Sequence, residues 1–227
     1  MGVLKELSEK SDPEWLFTTK IYDCFLTAHN VAMILEFCPD GNLEDIVKRR
    51  DHLPEREVLH IAYQLALGLK FISKYKVVHR DIKPDNIFIK REAGHMLYKI
   101  GDFGFAVKKQ INDEIVGTPI FMSPELFREE TYGSEVDVWA FGLVVHYMLF
   151  KEHYFMESSE KKVKQKVLGS KYQLLPRHRQ EISGITAQFL EGCMQFDKKN
   201  RIPADKLASH PVFDSVRPSV EHLMRDC

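Results

Sequence analysis

Cysteines and long apolar runs are both scarce in this sequence. Four of the 227 residues are cysteines, and they form neither the C-x-x-C pair nor the Cys and His spacing typical of zinc sites. Neither a disulfide scaffold nor a metal clip is therefore indicated, and we expect a reducing compartment, the cytoplasm or the nucleus. The most apolar stretch, residues 138–150, is shorter than the roughly 20 residues of a membrane span. This stretch predicts a buried core helix. The N-terminus lacks a signal-peptide pattern, so neither segment indicates a membrane partner.

An excess of charge of one sign is also lacking. The 32 Lys and Arg residues balance 33 Asp and Glu residues, which gives a formal net charge of -1. No global field would draw such a chain to nucleic acid, so we expect no nucleic-acid partner. The 44% of hydrophobic residues are enough to bury the core of one large domain.

The first part of the chain has the pattern of a short helix and a hairpin. Residues 3–10 have helical spacing and end before a proline. Residues 21–25 and 31–37 are rich in Ile, Val and Phe, and a polar turn at 28–30 separates them. This pattern predicts two antiparallel strands.

The rest of the chain is mainly helical, with one further strand pair. Apolar residues at helical spacing over 58–72 predict a long helix. Residues 86–89 and 96–100 read as strands around a polar turn at 91–94. Helical periodicity returns after Glu125 and continues almost to the end.

Three oxygen-bearing side chains lie in polar loops on either side of this strand pair. Asp81 and Asn86 precede it, and Asp102 follows it beside a glycine. Such side chains could converge on a hard cation such as Mg²⁺, which takes few carboxylates together with substrate phosphates. The alternative is that they only form turns. Phosphoryl transfer needs such a set to position phosphates, neutralise charge and accept one proton.

Three motifs in one order carry a resemblance to a known family. They are H-R-D-I-K-P-D-N at 79–86, D-F-G at 102–104 and S-P-E at 123–125. D-V-W at 137–139 and Arg201 follow them. In these features the sequence resembles the eukaryotic protein kinases of the serine/threonine type, over nearly the whole chain.

The resemblance implies an α+β, protein-kinase-like fold with a mainly helical C-terminal lobe (C-lobe) and a remnant of the small β-rich N-terminal lobe (N-lobe). Residues 1–37 would form the partial N-lobe, with the end of its first helix and a strand hairpin. Residues 38–41 would be the hinge, and residues 42–216 the C-lobe. Residues 217–227 would be a C-terminal tail or a short helix.

The resemblance also implies catalytic and metal-binding roles. Asp81 would be the base that accepts the substrate hydroxyl proton, and Asn86 and Asp102 would hold Mg²⁺. Lys83 would steady the transferring phosphate. Thr118, in the G-T-P segment at 117–119, fits the same serine/threonine class.

ATP-binding residues are implied at the end of the first hairpin. Leu35 would be the gatekeeper side chain, and the backbone of Glu36 and Cys38 would bond adenine. Asn42 would lie near the ribose. Phe88 would form part of the floor under the adenine ring, although an ordinary core phenylalanine is an equal alternative. Asp102, the implied Mg²⁺ ligand, belongs to the same ATP site.

Two structural ion contacts and one regulatory contact follow from the same comparison. Glu125 would pair with Arg201, and Asp137 would hold the backbone at 79–80. Many kinases carry a phosphorylatable residue where this sequence has Glu114. Our hypothesis is that Glu114 gives Arg80 a permanent anion with less charge than a phosphate. The alternative is a merely exposed acidic loop.

The departure from the family is at the front of the chain. The phosphate-covering G-x-G-x-x-G and the V-A-I-K lysine are missing, since no glycine occurs between Gly2 and Gly41. The sequence therefore resembles an N-terminally truncated catalytic domain. Two functions stay open: an ATP- and Mg²⁺-dependent kinase acting on a protein substrate, or a non-catalytic scaffold with a kinase-like helical lobe. The sequence does not identify a regulatory partner.

Overall fold

The structure is a computed structural model that describes residues 2–26, 31–108 and 114–227. The strands in these ranges are β1 (Ile21–Leu26), β2 (Val31–Leu35), β3 (Val77–Val78), β4 (Ile87–Glu92), β5 (His95–Ile100) and β6 (Val107–Lys108). The helices are α1 (Gly2–Ser8), α2 (Leu43–Arg49), α3 (Glu55–Lys74), α4 (Pro124–Phe127), α5 (Glu135–Phe150), α6 (Glu160–Gly169), α7 (Pro176–Glu181), α8 (Gly184–Cys193) and α9 (Arg217–Asp226). Helices thus dominate, and the α+β class is confirmed.

The predicted first hairpin is present. Strands β1 and β2 pair antiparallel, with Ile21 opposite Leu35. Strand β2 ends at Leu35 and not at residue 37. The backbone N–H of Glu36 donates the last bond between the two segments, to the carbonyl of Lys20. Pro39 follows soon after and has no N–H with which to continue the pairing. The predicted turn at 28–30 lies outside the described residues. Apolar side chains project outward from this hairpin and the segment after it, including Tyr22, Met33 and Phe37.

The second predicted hairpin is also present. Strands β4 and β5 pair from Ile87 opposite Ile100 to Glu92 opposite His95. Strand β4 begins one residue later than predicted, because Asn86 belongs to a 3-10 turn that starts at Pro84, where proline fixes φ. Strand β3 pairs with β6 in a further antiparallel ladder.

Helix α5 lies in the middle of the core. Its residues from Val136 to Leu149 are buried on every side, so the predicted core helix is confirmed. Helix α3 packs against α5 and β5, and α8 packs against α5 from another side. Of the helices in the described ranges, none has the combination of length and apolar character needed to cross a membrane.

Local sequence signals explain where several helices begin. Asn42 caps α2 by accepting from the backbone N–H of Asp45, and the Asp45 side chain returns a bond to the Asn42 backbone. Ser159 and Ser183 cap α6 and α8 in the same way, each accepting a backbone N–H of the first turn. At the end of the chain, α9 is a helix rather than an irregular tail, and it buries Val220 and Leu223.

Candidate active site

Helix α5 holds the loop that carries the predicted base. Asp137 on α5 accepts backbone N–H bonds from His79 and Arg80, both at 2.8 Å, as predicted. Burial raises the pKa of Asp137 to about 7, and the two donated N–H groups oppose this rise. Arg80 has a φ of 73°, an uncommon value for a side-chain-bearing residue. The carboxylate thus stabilises a strained turn and fixes where Asp81 points.

His79 connects the same loop to the D-F-G turn. Its ring is fully buried, and Nε2 lies 2.9 Å from the carbonyl oxygen of Gly101. The ring of Phe103 packs edge-on against it at 4.8 Å. Burial lowers the pKa of His79, so a neutral ring donates to this carbonyl. His79 therefore connects the segments of Asp81 and Asp102 directly.

Asp81 lies at the centre of a dense set of donors. Its Oδ1 accepts from the backbone N–H and the hydroxyl of Thr118, at 2.9 and 2.8 Å. Its Oδ2 lies 2.8 Å from Nζ of Lys83 and accepts from Nδ2 of Asn86 at 3.0 Å. Burial alone would raise the pKa of Asp81, but the bonds from Lys83, Thr118 and Asn86 outweigh it and lower the pKa. The carboxylate is therefore ionised at neutral pH.

Asn86 and Asp102 offer oxygen atoms for a cation. Nδ2 of Asn86 donates to Asp81 twice, to the backbone oxygen at 2.9 Å and to Oδ2, which leaves Oδ1 to bind a cation. The backbone N–H of Gly101 donates to the Asn86 carbonyl at 2.9 Å, so the two segments are adjacent. Asp102 is solvent-exposed and has a φ of 53°. One amide oxygen and one carboxylate are ligands that suit Mg²⁺.

A cavity of about 400 Å³ opens beside Asp102, within the usual size range of small-molecule sites. Its lining consists of Thr19, Leu35, Glu36, Phe37, Cys38, Phe88 and Asp102. The structure thus brings five of the predicted ATP-binding residues together, and it adds Thr19 and Phe37, which the sequence analysis missed. Phe88 lies so close to Gly101 that a Cβ there would approach its ring to 2.4 Å. Glycine before Asp102 is what lets this ring line the cavity.

Asn42 is the predicted ATP-binding residue that does not line this cavity. Its Oδ1 accepts from the Asp45 backbone at 2.9 Å as the cap of α2. Its backbone pairs with Phe88 in an isolated bridge. The side chain therefore caps α2, and the ribose role of Asn42 stays a prediction.

Glu36 has a structural role in its side chain that the sequence analysis missed. Its two carboxylate oxygens lie 3.0 Å from Nζ of Lys90 and 3.3 Å from Nζ of Lys99. Lys99 is fully buried, and its ammonium also donates to the carbonyl of Leu16. Burial lowers the pKa of Lys99 despite the nearby Glu36. These contacts connect the segment after β2 to the β4–β5 hairpin, because Lys90 lies on β4 and Lys99 on β5.

Arg80 and Glu114 are in direct contact. Nη1 of Arg80 lies 2.6 Å from Oε2 of Glu114 and 3.2 Å from the hydroxyl of Tyr132. Tyr132 in turn donates to the backbone carbonyl of Glu114 at 3.0 Å. The Arg80 Nε donates to the carbonyl of Phe105 at 2.6 Å. The guanidinium of Arg80 thus bonds two positions of the segment after D-F-G, Phe105 and Glu114. Tyr132 takes part in the same set of contacts, and no sequence signal indicated it.

Gly117 lets this segment pass close to the loop of Asp81. Its φ is +107°, in the region that favours glycine. A Cβ at this position would lie 2.4 Å from the carbonyl oxygen of Arg80. The close approach places Thr118 against Asp81.

The predicted pair of Glu125 and Arg201 is present and buried. Oε1 and Oε2 of Glu125 lie 2.6 and 3.2 Å from the two terminal nitrogens of Arg201. The guanidinium also donates to the carbonyls of Glu135 and Gln195, and it lies 5.1 Å from the ring centre of Trp139. The two charges are therefore fully hydrogen-bonded, and they connect α4 to the region after α8.

Comparisons with known proteins agree with this geometry. A family model described as the protein kinase domain matches residues 4–213. "Serine/threonine-protein kinase atg1" of Dictyostelium discoideum is 29% identical over 92% of the chain, and "Serine/threonine-protein kinase 33" of Bos taurus is 30% identical over 81%. "Serine/threonine-protein kinase ULK3" of Xenopus laevis is 32% identical over 85%. The matches span 30%, 40% and 42% of these relatives, so the chain corresponds to less than half of each.

Proposed function

Because the chain belongs to the protein kinase family, we propose that it transfers the γ-phosphate of ATP to a Ser or Thr hydroxyl of a protein substrate. The observation that carries this proposal is the ionised Asp81, with Lys83 at 2.8 Å and Asn86 at 3.0 Å. Phosphoryl transfer asks a protein mainly for positioning and charge neutralisation, and this set supplies both.

Each residue of the set has a separate role in the proposed reaction. Asp81 orients the substrate hydroxyl and accepts its proton. Lys83 lies beside the acceptor position and offsets the negative charge of the phosphate oxygens. Asn86 and Asp102 would hold Mg²⁺, which when bound neutralises the charge on the phosphates of ATP. Thr118 keeps Oδ1 of Asp81 fixed through two bonds.

The cavity beside Asp102 is the proposed nucleotide site. Leu35 and Phe88 give it apolar walls, and the backbone of Glu36 and Cys38 would bond the adenine ring. In the same proposal, residues 1–37 are the partial N-lobe, 38–41 the hinge, 42–216 the C-lobe and 217–227 its C-terminal extension.

Nucleotide binding is the step that separates a kinase from a scaffold. The sequence contains neither G-x-G-x-x-G nor the V-A-I-K lysine, so ATP affinity rests on the cavity and on Asn86 and Asp102. We expect Mg·ATP to raise the Tm, because a ligand at 100 times its Kd stabilises the folded state by about 2.7 kcal/mol. The measurement is a thermal melt over a range of ATP concentrations, with and without Mg²⁺.

The control for this measurement is the Asp102→Asn variant, which should keep its basal Tm and lose most of the Mg²⁺-dependent shift. Phosphate transfer to a mixed protein substrate, such as a histone preparation, is measured in parallel. A chain that shows neither a thermal shift nor phosphate transfer is the non-catalytic scaffold, and the proposed function is then wrong.

The contact between Arg80 and Glu114 predicts regulation without phosphorylation of that position. We expect Glu114→Ala to lower kcat about fivefold, because an exposed charge-assisted bond that orders the segment, worth about 1 kcal/mol, is lost. Glu114→Gln should keep part of the activity, since it retains an oxygen acceptor. The measurement is kcat together with limited proteolysis of residues 105–118.

The matched control is Glu130→Ala, which removes an exposed glutamate that lies 3.7 Å from Arg128. This variant should behave as the parent protein does. Unchanged activity and unchanged proteolysis of Glu114→Ala would mean that Glu114 is merely part of an exposed acidic loop.

A further inference from the structure

Three side chains of the types that bind metal ions lie close together near the C-terminal end of α5. His146 lies on α5, Glu152 follows the end of that helix, and His178 lies on α7. The ligand atoms of the three residues all lie within 4.8 Å of one another. Oε1 of Glu152 is 2.8 Å from Nε2 of His178 and 3.9 Å from Nε2 of His146. Three segments that are separate in sequence therefore converge on one point.

The ring of His146 has one nitrogen bonded and one nitrogen directed at this point. Its side chain is fully buried, and Nδ1 lies 3.0 Å from the hydroxyl of Tyr172. Nε2 is buried and has no hydrogen-bond partner among the described residues. A buried polar group without a partner is costly, and such groups in native proteins call for an explanation. Glu152 lies against His178, and Nε of Arg177 donates to Nε2 of His178, but neither contact gives Nε2 of His146 a partner.

The surroundings of His146 match what a metal-binding histidine needs, whereas Nδ1 of His178 is buried without a hydrogen-bond partner among the described residues. A ligating imidazole usually donates its second N–H to a fixed oxygen, and Tyr172 offers one to Nδ1 of His146. The ring of Phe150 stacks on His178 at 4.1 Å, and Tyr154 packs edge-on against His146 at 5.5 Å. These rings shield the point from water on the core side.

Arg177 orients the carboxylate. Its Nη2 donates to both carboxylate oxygens of Glu152, to Oε2 at 2.9 Å and to Oε1 at 3.3 Å, and Oε1 is the oxygen that also lies near the two histidines. Its Nε lies 3.2 Å from Nε2 of His178 and has to move off that nitrogen when a cation binds. The Arg177 side chain is mostly exposed, so this movement into solvent is easy.

We propose that His146, Glu152 and His178 bind one Zn²⁺ ion through Nε2, Oε1 and Nε2, with a water molecule in the fourth position. Tetrahedral zinc with bonds of about 2.0 to 2.1 Å places its ligand atoms about 3.3 Å apart. The observed distances of 2.8 and 3.9 Å lie on either side of this value. Two imidazoles select a transition ion over Mg²⁺ or Ca²⁺. The ion would connect the end of α5 to α7 and stabilise the C-lobe.

The first test titrates Zn²⁺ into the full chain, stripped with a chelator and kept in excess Mg²⁺. We expect one equivalent to bind and the Tm to rise. Co²⁺ in place of Zn²⁺ should give the intense visible absorption of a tetrahedral ion, which an octahedral site does not give. His146 is buried, so the variant used is Glu152→Gln, at a half-exposed position. It should weaken zinc binding at least about 100-fold.

The second test separates zinc ligation from simple packing. Tyr172→Phe removes the hydroxyl at Nδ1 of His146 and should weaken zinc binding about 10- to 100-fold. Tyr154→Phe is the matched control, because its ring also touches His146 but its hydroxyl accepts from the Gln173 backbone instead. This control should bind zinc as the parent protein does.

A further control addresses another histidine surface. His95 and His222 both lie near Asp226, at 3.2 and 3.6 Å, and this exposed group could collect zinc adventitiously. Zinc binding that is lost in His222→Gln and kept in Glu152→Gln overturns the proposal. So does the absence of any binding, or equal effects of Tyr172→Phe and Tyr154→Phe on zinc affinity.

Discussion

The Asp81→Asn variant is expected to lose phosphate transfer by a factor of about 10² to 10⁴, which is the usual contribution of a general base. The amide cannot accept the proton of the substrate hydroxyl. It also places a donor where Oδ2 now accepts from Asn86 and pairs with Lys83. Activity is measured at saturating Mg·ATP, so that a change in kcat is separated from a change in nucleotide affinity.

The same substitution should also cost some stability, about 1 to 3 kcal/mol, because donors then face each other in a buried site. A retained thermal shift with Mg·ATP shows that the variant is folded and binds nucleotide. The matched control is Asp85→Asn, the same change at an exposed aspartate in the same loop, which should keep most of the activity. Phosphate transfer by Asp81→Asn at the parent rate would refute the assignment of the base.

The second large effect is expected for Arg201→Ala, which should lower the free energy of unfolding by about 3 to 5 kcal/mol. The substitution leaves the buried carboxylate of Glu125 without its cation and removes the bonds to the carbonyls of Glu135 and Gln195. It also removes the guanidinium that packs beside Trp139. Urea unfolding followed by tryptophan fluorescence measures the loss.

Two further variants identify the cause of this loss. Arg179→Ala removes an exposed arginine that pairs with Glu191 at the surface, and it should cost no more than about 1 kcal/mol. Replacing the buried pair together, Glu125→Leu with Arg201→Met, should recover part of the stability, because no unpaired charge remains. A loss below about 1 kcal/mol in Arg201→Ala would show that the pair contributes little to the stability of the fold.

Much of the fold could be predicted because its signals are local. The apolar run of α5, the polar turn between β4 and β5 and the Ile, Val and Phe residues of β1 and β2 are all signals carried by neighbouring residues. The contacts of Asp137 and Arg201 span long stretches of chain, and only the resemblance to a family indicated them. At Asn42 the residue type fits two roles: the structure shows the helix cap, and the ribose role stays a prediction.

The remaining contacts could not be predicted because they depend on how distant segments pack. Lys99 carries a charge, which is typical of an exposed residue, but the segment 13–17 packs against β5 and the side chain is fully buried. Tyr132 reaches Arg80 and Glu114 from beyond α4. His146 and His178 lie far apart in sequence and outside any metal-binding spacing, so their convergence is visible only in three dimensions.

The hydrogen bonds from the Asp81 loop to Asp137 have a consequence for how this protein unfolds. The amide hydrogens of His79 and Arg80 are bonded to a carboxylate on α5, the helix in the middle of the core. We therefore expect these hydrogens to exchange with solvent only when the core around α5 opens. On warming, the loop should lose its backbone conformation together with α5 and not in a separate, earlier transition.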